Sequence, residues 1–286
     1  MIDCGGGNDN WPSRLLNANR INNKEDTIPT NDGSKYGIDA LVVSHPHGDH
    51  LSDLASIHDT IGFRTLYGGY NSFIDNISDD AIDWRKRGKT ATNKFRQIVK
   101  NYTNPVSPDN RVGLSKSDCV VEHGRFISYS DGVDLNDISY LVTFTYKGQK
   151  ILFPGDLTAS AVSNILKSSK ASGFREFVKG TTILKVPHHG RDNGCSEELF
   201  NLFGGKPLIC LLSDEALNQR NEGTANTAWY TARTSDTQVS INGVLSNRKV
   251  LTTRSDKDIF LSISSTGDVT IQTNYFKDVR PQILEA

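Results

Sequence analysis

Residues 38–50 read Ile-Asp-Ala-Leu-Val-Val-Ser-His-Pro-His-Gly-Asp-His. The first seven form a short apolar run with β-branched residues, the pattern of a buried strand. Three imidazoles and a carboxylate then fall within positions 45–50, although the whole chain holds only seven histidines. Imidazole and carboxylate are nitrogen and oxygen ligands for Zn²⁺ and for Mn²⁺ or Fe²⁺. In a loop leaving a strand, residues two apart point the same way. His45 and His47 can therefore take one ion while Asp49 and His50 turn toward a second. Gly48 permits a tight bend and Pro46 fixes φ. A polar surface loop is the plainer alternative, but it gives no reason for so dense a cluster. A helix is expected over residues 51–57, so the order is strand, loop, helix. In open α/β sheets, ligands sit where strands deliver the chain into loops.

Three further segments have the same form. Ile151-Leu152-Phe153-Pro154-Gly155-Asp156 is an apolar strand ending in Gly-Asp. Its carboxylate could bridge two cations, or simply cap the helix expected from Leu157. Val186-Pro187-His188-His189-Gly190 is strand then turn, with paired histidines that could equally be satisfied turn residues. Ile2 and Cys4 flank Asp3 and three glycines follow, which reads as a strand running into a tight loop. Taken singly, the plainer reading holds for the Gly-Asp and the two readings stand even for the paired histidines; several strand ends each delivering a ligand type favour a metal site.

Elsewhere, residues 8–36 read as a polar surface excursion with a short helix near 12–18, and residues 78–104 as a polar helical stretch. Strands are expected at 119–121, 139–146, 151–153, 182–186, 208–212, 249–253, 259–264 and 269–273, and helices at 158–179 and 197–202. The expectation is a layered α/β chain forming one domain over 1–286, with 57–115 as a helical insertion.

Composition narrows the class. Of 286 residues, 36% are hydrophobic and 23% charged, enough for a real core, and the net charge of −1 supplies no global field toward nucleic acid or membrane. The four cysteines form no Cys-x-x-Cys pair and are too few for a disulfide framework, so reduced and mostly buried thiols are expected. No apolar run approaches the roughly 18 residues that span a bilayer. The start lacks the basic and apolar regions of a signal peptide. A soluble, cytoplasmic protein is expected.

These motifs, in this order, resemble those of the metallo-β-lactamase fold superfamily: Asp3 in MIDCGGG, His45, His47, Asp49 and His50 in SHPHGDH, Asp156 in FPGD and His188 in VPHHG. The HxHxDH signature is specific; the others gain weight from their order. The likeness spans nearly the whole chain. Within the superfamily, LKVPHHG at 184–190 followed by SEELF, and NDISYLVTFTYKGQKILFPGDL with its Asn-Asp-x-Ser strand, look like the hydrolase domain of ComEC-type DNA-uptake proteins. The resemblance implies a four-layer αββα sandwich. Members have one or two strands before the Asp3 motif, so N-terminal strands are expected to be missing here. Other departures are Ser52-Asp53 in place of Gly-Gly, and Arg191 in place of Ser after the paired histidines. His123 lies in the interval of the third-motif histidine, but its Glu-His-Gly-Arg setting is unfamiliar and a surface histidine is the competing reading. His58, after the short helix, reads as structural.

By that resemblance, His45 and His47 hold a first divalent ion, Asp49, His50 and His188 a second, Asp156 bridges both, and Asp3 orients the ligand histidines from behind. Zn²⁺ comes first and Mn²⁺ second as the native metal. Asp49 and His189 are the catalytic candidates, His189 as proton donor to the leaving oxygen or as phosphate holder. The implied activity is a metal-dependent phosphodiesterase or nuclease on DNA, working through a two-metal-activated hydroxide. Hydrolysis of a small ester, thioester or amide at the same site is the second reading, and a non-catalytic binding module that kept the fold is the third.

Arg85, Lys86, Arg87, Lys89, Lys94, Arg96 and Lys100 crowd one segment with Trp84, Phe95 and Tyr102 interleaved and Asp83 as the only nearby acid. This is either a phosphate-tracking patch with stacking aromatics or a solvated helix face with its aromatics packed inward. If it is a patch, DNA affinity falls steeply between low and moderate salt in a filter-binding titration; a flat response removes the idea.

Overall fold

A computed structural model describes residues 1–4, 12–14, 16, 38–68, 73–78, 89–101, 118–130, 133–214 and 225–274. The chain divides into two compact units, Met1–Leu114 with Val279–Ala286, and Ser115–Asp278.

In the first unit, β1 (Ile38–Val42) and β2 (Phe63–Tyr67) pair in parallel. Ile38, Ala40, Leu41, Val42 and Val43 are all buried, so β1 is covered on both faces, as a continuous apolar run requires. Between the strands, the single helix expected over 51–57 is replaced by the short helical turns Gly48–Leu51 and Leu54–Ser56 and the wider π turn Ile57–Ile61. The helix α1 (Lys89–Asn101) buries Phe95, Ile98 and Val99, which share one face at helical spacing. Three of its basic residues have partners inside this unit. Lys94 pairs with Asp59 at 2.7 Å and Lys100 with Asp75 at 2.9 Å, while Arg96 donates to the carbonyls of Ile74 and Ile77. Arg85, Lys86, Arg87 and Tyr102 lie outside the described residues.

The second unit is layered. β3 (Cys119–Arg125), β4 (Tyr140–Tyr146) and β5 (Gln149–Phe153) form an antiparallel meander. The helices α2 (Ala159–Leu166) and α3 (Ala171–Val178) precede β6 (Ile183–Lys185); α4 (Glu197–Leu202) precedes β7 (Ile209–Leu212); α5 (Thr227–Arg233) follows. The hairpin β8 (Val239–Ile241) and β9 (Val244–Ser246) leads to β10 (Val250–Thr252), β11 (Ile259–Ile263) and β12 (Val269–Thr273). One sheet has the order β10-β7-β6-β5-β4-β3, with β5, β6, β7 and β10 parallel. The other has the order β11-β12-β8-β9. Leu152, Leu184 and Cys210 pack with Val162, Phe174, Phe200 and Tyr230 of the helices on one face. Ile183, Ile209 and Leu251 meet Val239, Ile241 and Ile271 of the smaller sheet on the other. The period-two alternation of β6 and β7 is thus split between two apolar layers, which explains why both read as continuous apolar runs. On β11 and β12, Phe260, Ser262, Thr270 and Gln272 point out to solvent. This helix–sheet–sheet layering is that of a metallo-β-lactamase sandwich.

Helices end where their chemistry dictates. Thr158, Ser196 and Asn226 accept from the backbone N–H groups of Ala161, Leu199 and Trp229, capping α2, α4 and α5. The expected helix 158–179 breaks into two at residues 167–170. Cys4 and Cys210 are buried and Cys119 and Cys195 half-buried, all four reduced; burial pushes the Cys210 thiol up to about 12. No helix among the described residues is long and apolar enough to cross a membrane. Phe174, fully buried and edge-on to Phe126 at 5.0 Å, anchors the helical layer. Phe174→Ala is expected to cost about 3–5 kcal/mol in urea unfolding; a change under about 1 kcal/mol would contradict this packing.

Candidate functional site

The first unit assembles three imidazoles around the end of β1. Residues 1–4 run beside that strand: Ile2 bridges Val42 in parallel, and the Asp3 N–H donates to the Val42 carbonyl at 2.8 Å. Asp3 then takes a left-handed φ of 52°, a conformation that aspartate tolerates better than most residues. Its Oδ1 accepts the Ser44 N–H at 2.7 Å, and its Oδ2 accepts the Ser44 hydroxyl at 2.8 Å and the His50 Nδ1–H at 2.9 Å. A carboxylate only accepts, so the His50 proton is on Nδ1 and the lone pair on Nε2. This is how ligand histidines are oriented at metal sites, through a carboxylate behind the ring.

His45 is fully buried and His50 nearly so. Their ring centroids are 4.1 Å apart, and those of His45 and His47 4.7 Å. His45 Nε2 and His47 Nδ1 are 3.0 Å apart. Two ligand nitrogens of one tetrahedral zinc ion lie roughly 3.3 Å apart. Asp49 stands in the first turn after His47, next to His50. Asp53, at one of the positions that departs from the family pattern, is fully buried and accepts the Ser13 N–H at 2.6 Å and hydroxyl at 2.9 Å. Burial raises the Asp53 carboxyl pKa, against the pull of those two bonds. The residue that replaces a glycine therefore anchors Ser13. His58 bonds Asp59 at 2.7 Å and lies edge-on to Phe63, a structural placement.

The second unit gathers its candidates at the C-terminal ends of adjacent parallel strands. β5 delivers Asp156, β6 delivers Lys185, His188 and His189, and β7 delivers Ser213. Asp156 is 2% exposed, and its backbone N–H donates to Ser139 Oγ at 3.0 Å. Asp137, two residues earlier, accepts the Thr158 hydroxyl at 2.6 Å. The turn at residues 136–139 before β4 thus holds the Gly-Asp loop at Asp156 and at Thr158. The Asp156 carboxylate faces Lys185 Nζ at 4.0 Å through Oδ1 and His189 Nε2 at 3.3 Å through Oδ2.

His188 and His189 both adopt left-handed backbone, φ 46° and 52°, and Gly190 continues at 77°. Two non-glycine residues there cost about 1–3 kcal/mol each, and such strain concentrates at functional sites. The turn is held by the His188 N–H to the Gly155 carbonyl at 3.3 Å and the Arg191 N–H to the His188 carbonyl at 3.0 Å. A Cβ would meet the Leu212 side chain at Gly190 and the Pro187 carbonyl at Gly194. Burial lowers the His188 pKa, helped by Arg191 and His189 and opposed by Asp156, so the ring is held neutral, the ligand form. The His189 ring is anchored by Nδ1, 2.8 Å from the Ser213 carbonyl. A carbonyl only accepts, so a neutral His189 turns its Nε2 lone pair toward the Asp156 carboxylate. The buried Asp156 carboxylate and the neutral His188 offer this unit an oxygen and a nitrogen donor, a set that fits a divalent ion. His123, on the edge strand β3, engages the Tyr140 hydroxyl through Nδ1 at 2.6 Å.

Four residues that hold these groups were not singled out from sequence as site residues: Ser44, Ser139, Lys185 and Ser213. Ser44 and Ser139 carry the signal of adjacency to a motif. Lys185 is signalled by a charge inside an apolar strand. Ser213 acts through its carbonyl and has no sequence signal.

A family model described as the metallo-beta-lactamase superfamily matches residues 1–213. No curated protein sequence matches the chain.

The histidine turn is open to a test that involves no ion. A Cβ on Gly190 would meet Leu212 Cδ2 at 2.7 Å in left-handed backbone. Gly190→Ala is expected to lower stability by about 1–3 kcal/mol in urea unfolding; an unchanged midpoint would contradict the turn.

Proposed function

We propose that this chain, which belongs to the metallo-beta-lactamase superfamily, is a phosphodiesterase that cleaves DNA with two divalent ions, zinc first and manganese as the alternative. The superfamily consists mostly of metal-dependent hydrolases. The observation that carries the metal reading is the Asp3 carboxylate behind His50, which fixes the imidazole tautomer that a ligand needs. The resemblance of the Asn-Asp-x-Ser strand and of LKVPHHG to the ComEC-type hydrolase domain carries the phosphodiester reading.

In this reading His45 and His47 would hold one ion and Asp49, His50 and His188 the other, with Asp156 as a ligand they would share. Bound ions of this kind supply a nucleophile from water near neutral pH and take up charge on the attacked group. Asp3 and Ser44 keep the histidine rings in register. His189, anchored to the Ser213 carbonyl by Nδ1, offers Nε2 to hold or pass a proton at the leaving oxygen. A second reading, hydrolysis of a small ester or thioester, is favoured by one observation: Lys94, Arg96 and Lys100 have partners within their own unit, so this part of the basic segment is not a ready-made polyanion track.

The test is metal content by plasma mass spectrometry on untagged protein, then digestion of single-stranded and duplex DNA with Zn²⁺ or Mn²⁺, beside bis-p-nitrophenyl phosphate, a thioester and a β-lactam. About two ions per chain and DNA cleavage are expected. Two ions with thioester turnover alone would move the reading to the small-ester class, and protein without metal would end both. Asp49→Ala is expected to reduce cleavage to background, and an active variant would refute the two-ion mechanism. His189→Ala is expected to lower turnover about a hundredfold with metal content unchanged.

A further inference from the structure

The two oxygens of Asp156 have different neighbours, and one of them is a lysine. Lys185 is the last residue of β6. It lies on the same face as Ile183, which packs between the two sheets, so the strand's alternation predicts an apolar residue at this place. Instead an ammonium stands 4.0 Å from Asp156 Oδ1, with the Lys185 side chain 19% exposed and that of Asp156 3% exposed. Ile183 and Leu184 before it and Val186 after it are fully buried. A lysine here is costly unless its charge is used. Its four-carbon stem gives Nζ freedom to turn while the Cα stays fixed in the sheet.

We propose that Lys185 is a specificity-determining residue: its ammonium balances Asp156 while the site is metal-free and, once a cation takes Asp156, turns to an anionic oxygen of the substrate. The proposal rests on the metal-dependent reading above and deepens it by assigning an anionic substrate class. The electrostatics favour the exchange. An ammonium and a divalent ion at one carboxylate oxygen repel each other at contact distance, so the ion weakens the hold of Asp156 on Lys185. Displaced from Asp156, the ammonium is a free cation at the mouth of the strand ends. A phosphodiester oxygen supplies its complement, and a neutral ester does not. His189 faces the other oxygen of Asp156 at 3.3 Å with its ring pinned to the Ser213 carbonyl, so the lysine is the group able to turn away.

The experiment uses the full chain and two measurements that do not depend on turnover. Zinc affinity is read by competition with a chromogenic chelator, and binding of inorganic phosphate to the zinc-loaded protein by calorimetry. With Lys185→Met, zinc binding is expected to tighten about tenfold, because its competitor is gone. Phosphate binding is expected to weaken about tenfold, and Lys185→Arg to restore it in part. Lys185→Gln serves if the methionine variant does not fold, as judged by its circular dichroism. A lysine that merely props the fold would change the melting temperature and leave both affinities in place, and that result overturns the proposal. Unchanged phosphate affinity with tighter zinc overturns the assignment of an anionic substrate. Wild-type protein that binds no zinc or manganese overturns the metal reading itself, which separates that failure from a failure of the lysine.

Discussion

A carboxylate with almost no access to water sits at the end of a parallel strand, and much of the second unit is arranged around it. Moving an ionised carboxylate out of water costs several kcal/mol unless charged and hydrogen-bonding partners come with it. Asp156 is 2% exposed, so those partners have to be built in. Ser139 fixes its backbone, and Lys185 and His189 face its two oxygens. Each demand falls on a particular strand. Ser139 must immediately precede β4, Lys185 must end β6, and the Ser213 carbonyl after β7 must hold the His189 ring. The strand order β7-β6-β5-β4 is what makes these four termini neighbours. The left-handed histidine pair is the local cost of aiming His189 at Asp156 while burying His188.

The first unit meets a related constraint in the opposite sense. There the buried groups are imidazoles, and the charge that orders them is the partly exposed carboxylate of Asp3. Asp3 reaches Ser44 and His50 because residues 1–4 lie along β1 and the chain turns left-handed at position 3. Cys4 ties the same segment to the helical turns: its N–H donates to the His50 carbonyl and its carbonyl accepts the Asp53 N–H, both at 3.0 Å. Asp53 in turn holds Ser13. A short peptide with little secondary structure is thereby fixed by backbone bonds and two carboxylates. In both units the ligand-type side chains are held by groups behind them, which reduces the reorganisation that ion binding would demand.

The elements that were legible in sequence were those with one strong local cause. β1, β4 and β12 carry long apolar or β-branched runs, and α4 starts at Ser196 with Glu197 and Glu198 in its first turn, a sequence-level helix start. β2 was missed because Phe-Arg-Thr-Leu-Tyr is short and interrupted by charge; it is a strand through its pairing with β1. The β8–β9 hairpin had a usable signal, Asn242-Gly243 between apolar residues, with φ 53° and 81° as the tight turn requires. α5 has a mixed face of Trp229, Tyr230 and Arg233, in which Arg233 stacks on Trp229 at 3.8 Å; no apolar stripe announces it. At the site, Asp3, His45, His50, Asp156, His188 and His189 stood out because reactive residue types cluster in sequence. Their supports did not, since a serine hydroxyl or a carbonyl becomes informative only when the chain brings it to its partner.

Charge placement bears on how a substrate would be chosen. The net charge of −1 gives no long-range attraction for a polyanion, and Lys94, Arg96 and Lys100 are engaged within their own unit. Steering over distances beyond a Debye length needs a charged surface, whereas discrimination at contact needs only one desolvated charge in the right place. Lys185 meets the second requirement: it is mostly shielded, rooted in a sheet and set against a carboxylate that cations compete for. A site of this kind admits anionic and neutral molecules at similar encounter rates and separates them afterwards, when the ammonium either finds an oxygen anion or remains uncompensated. Selectivity would then be carried by the bound state and by dissociation rather than by capture, the regime expected where a shielded charge and not a net surface field reads the substrate.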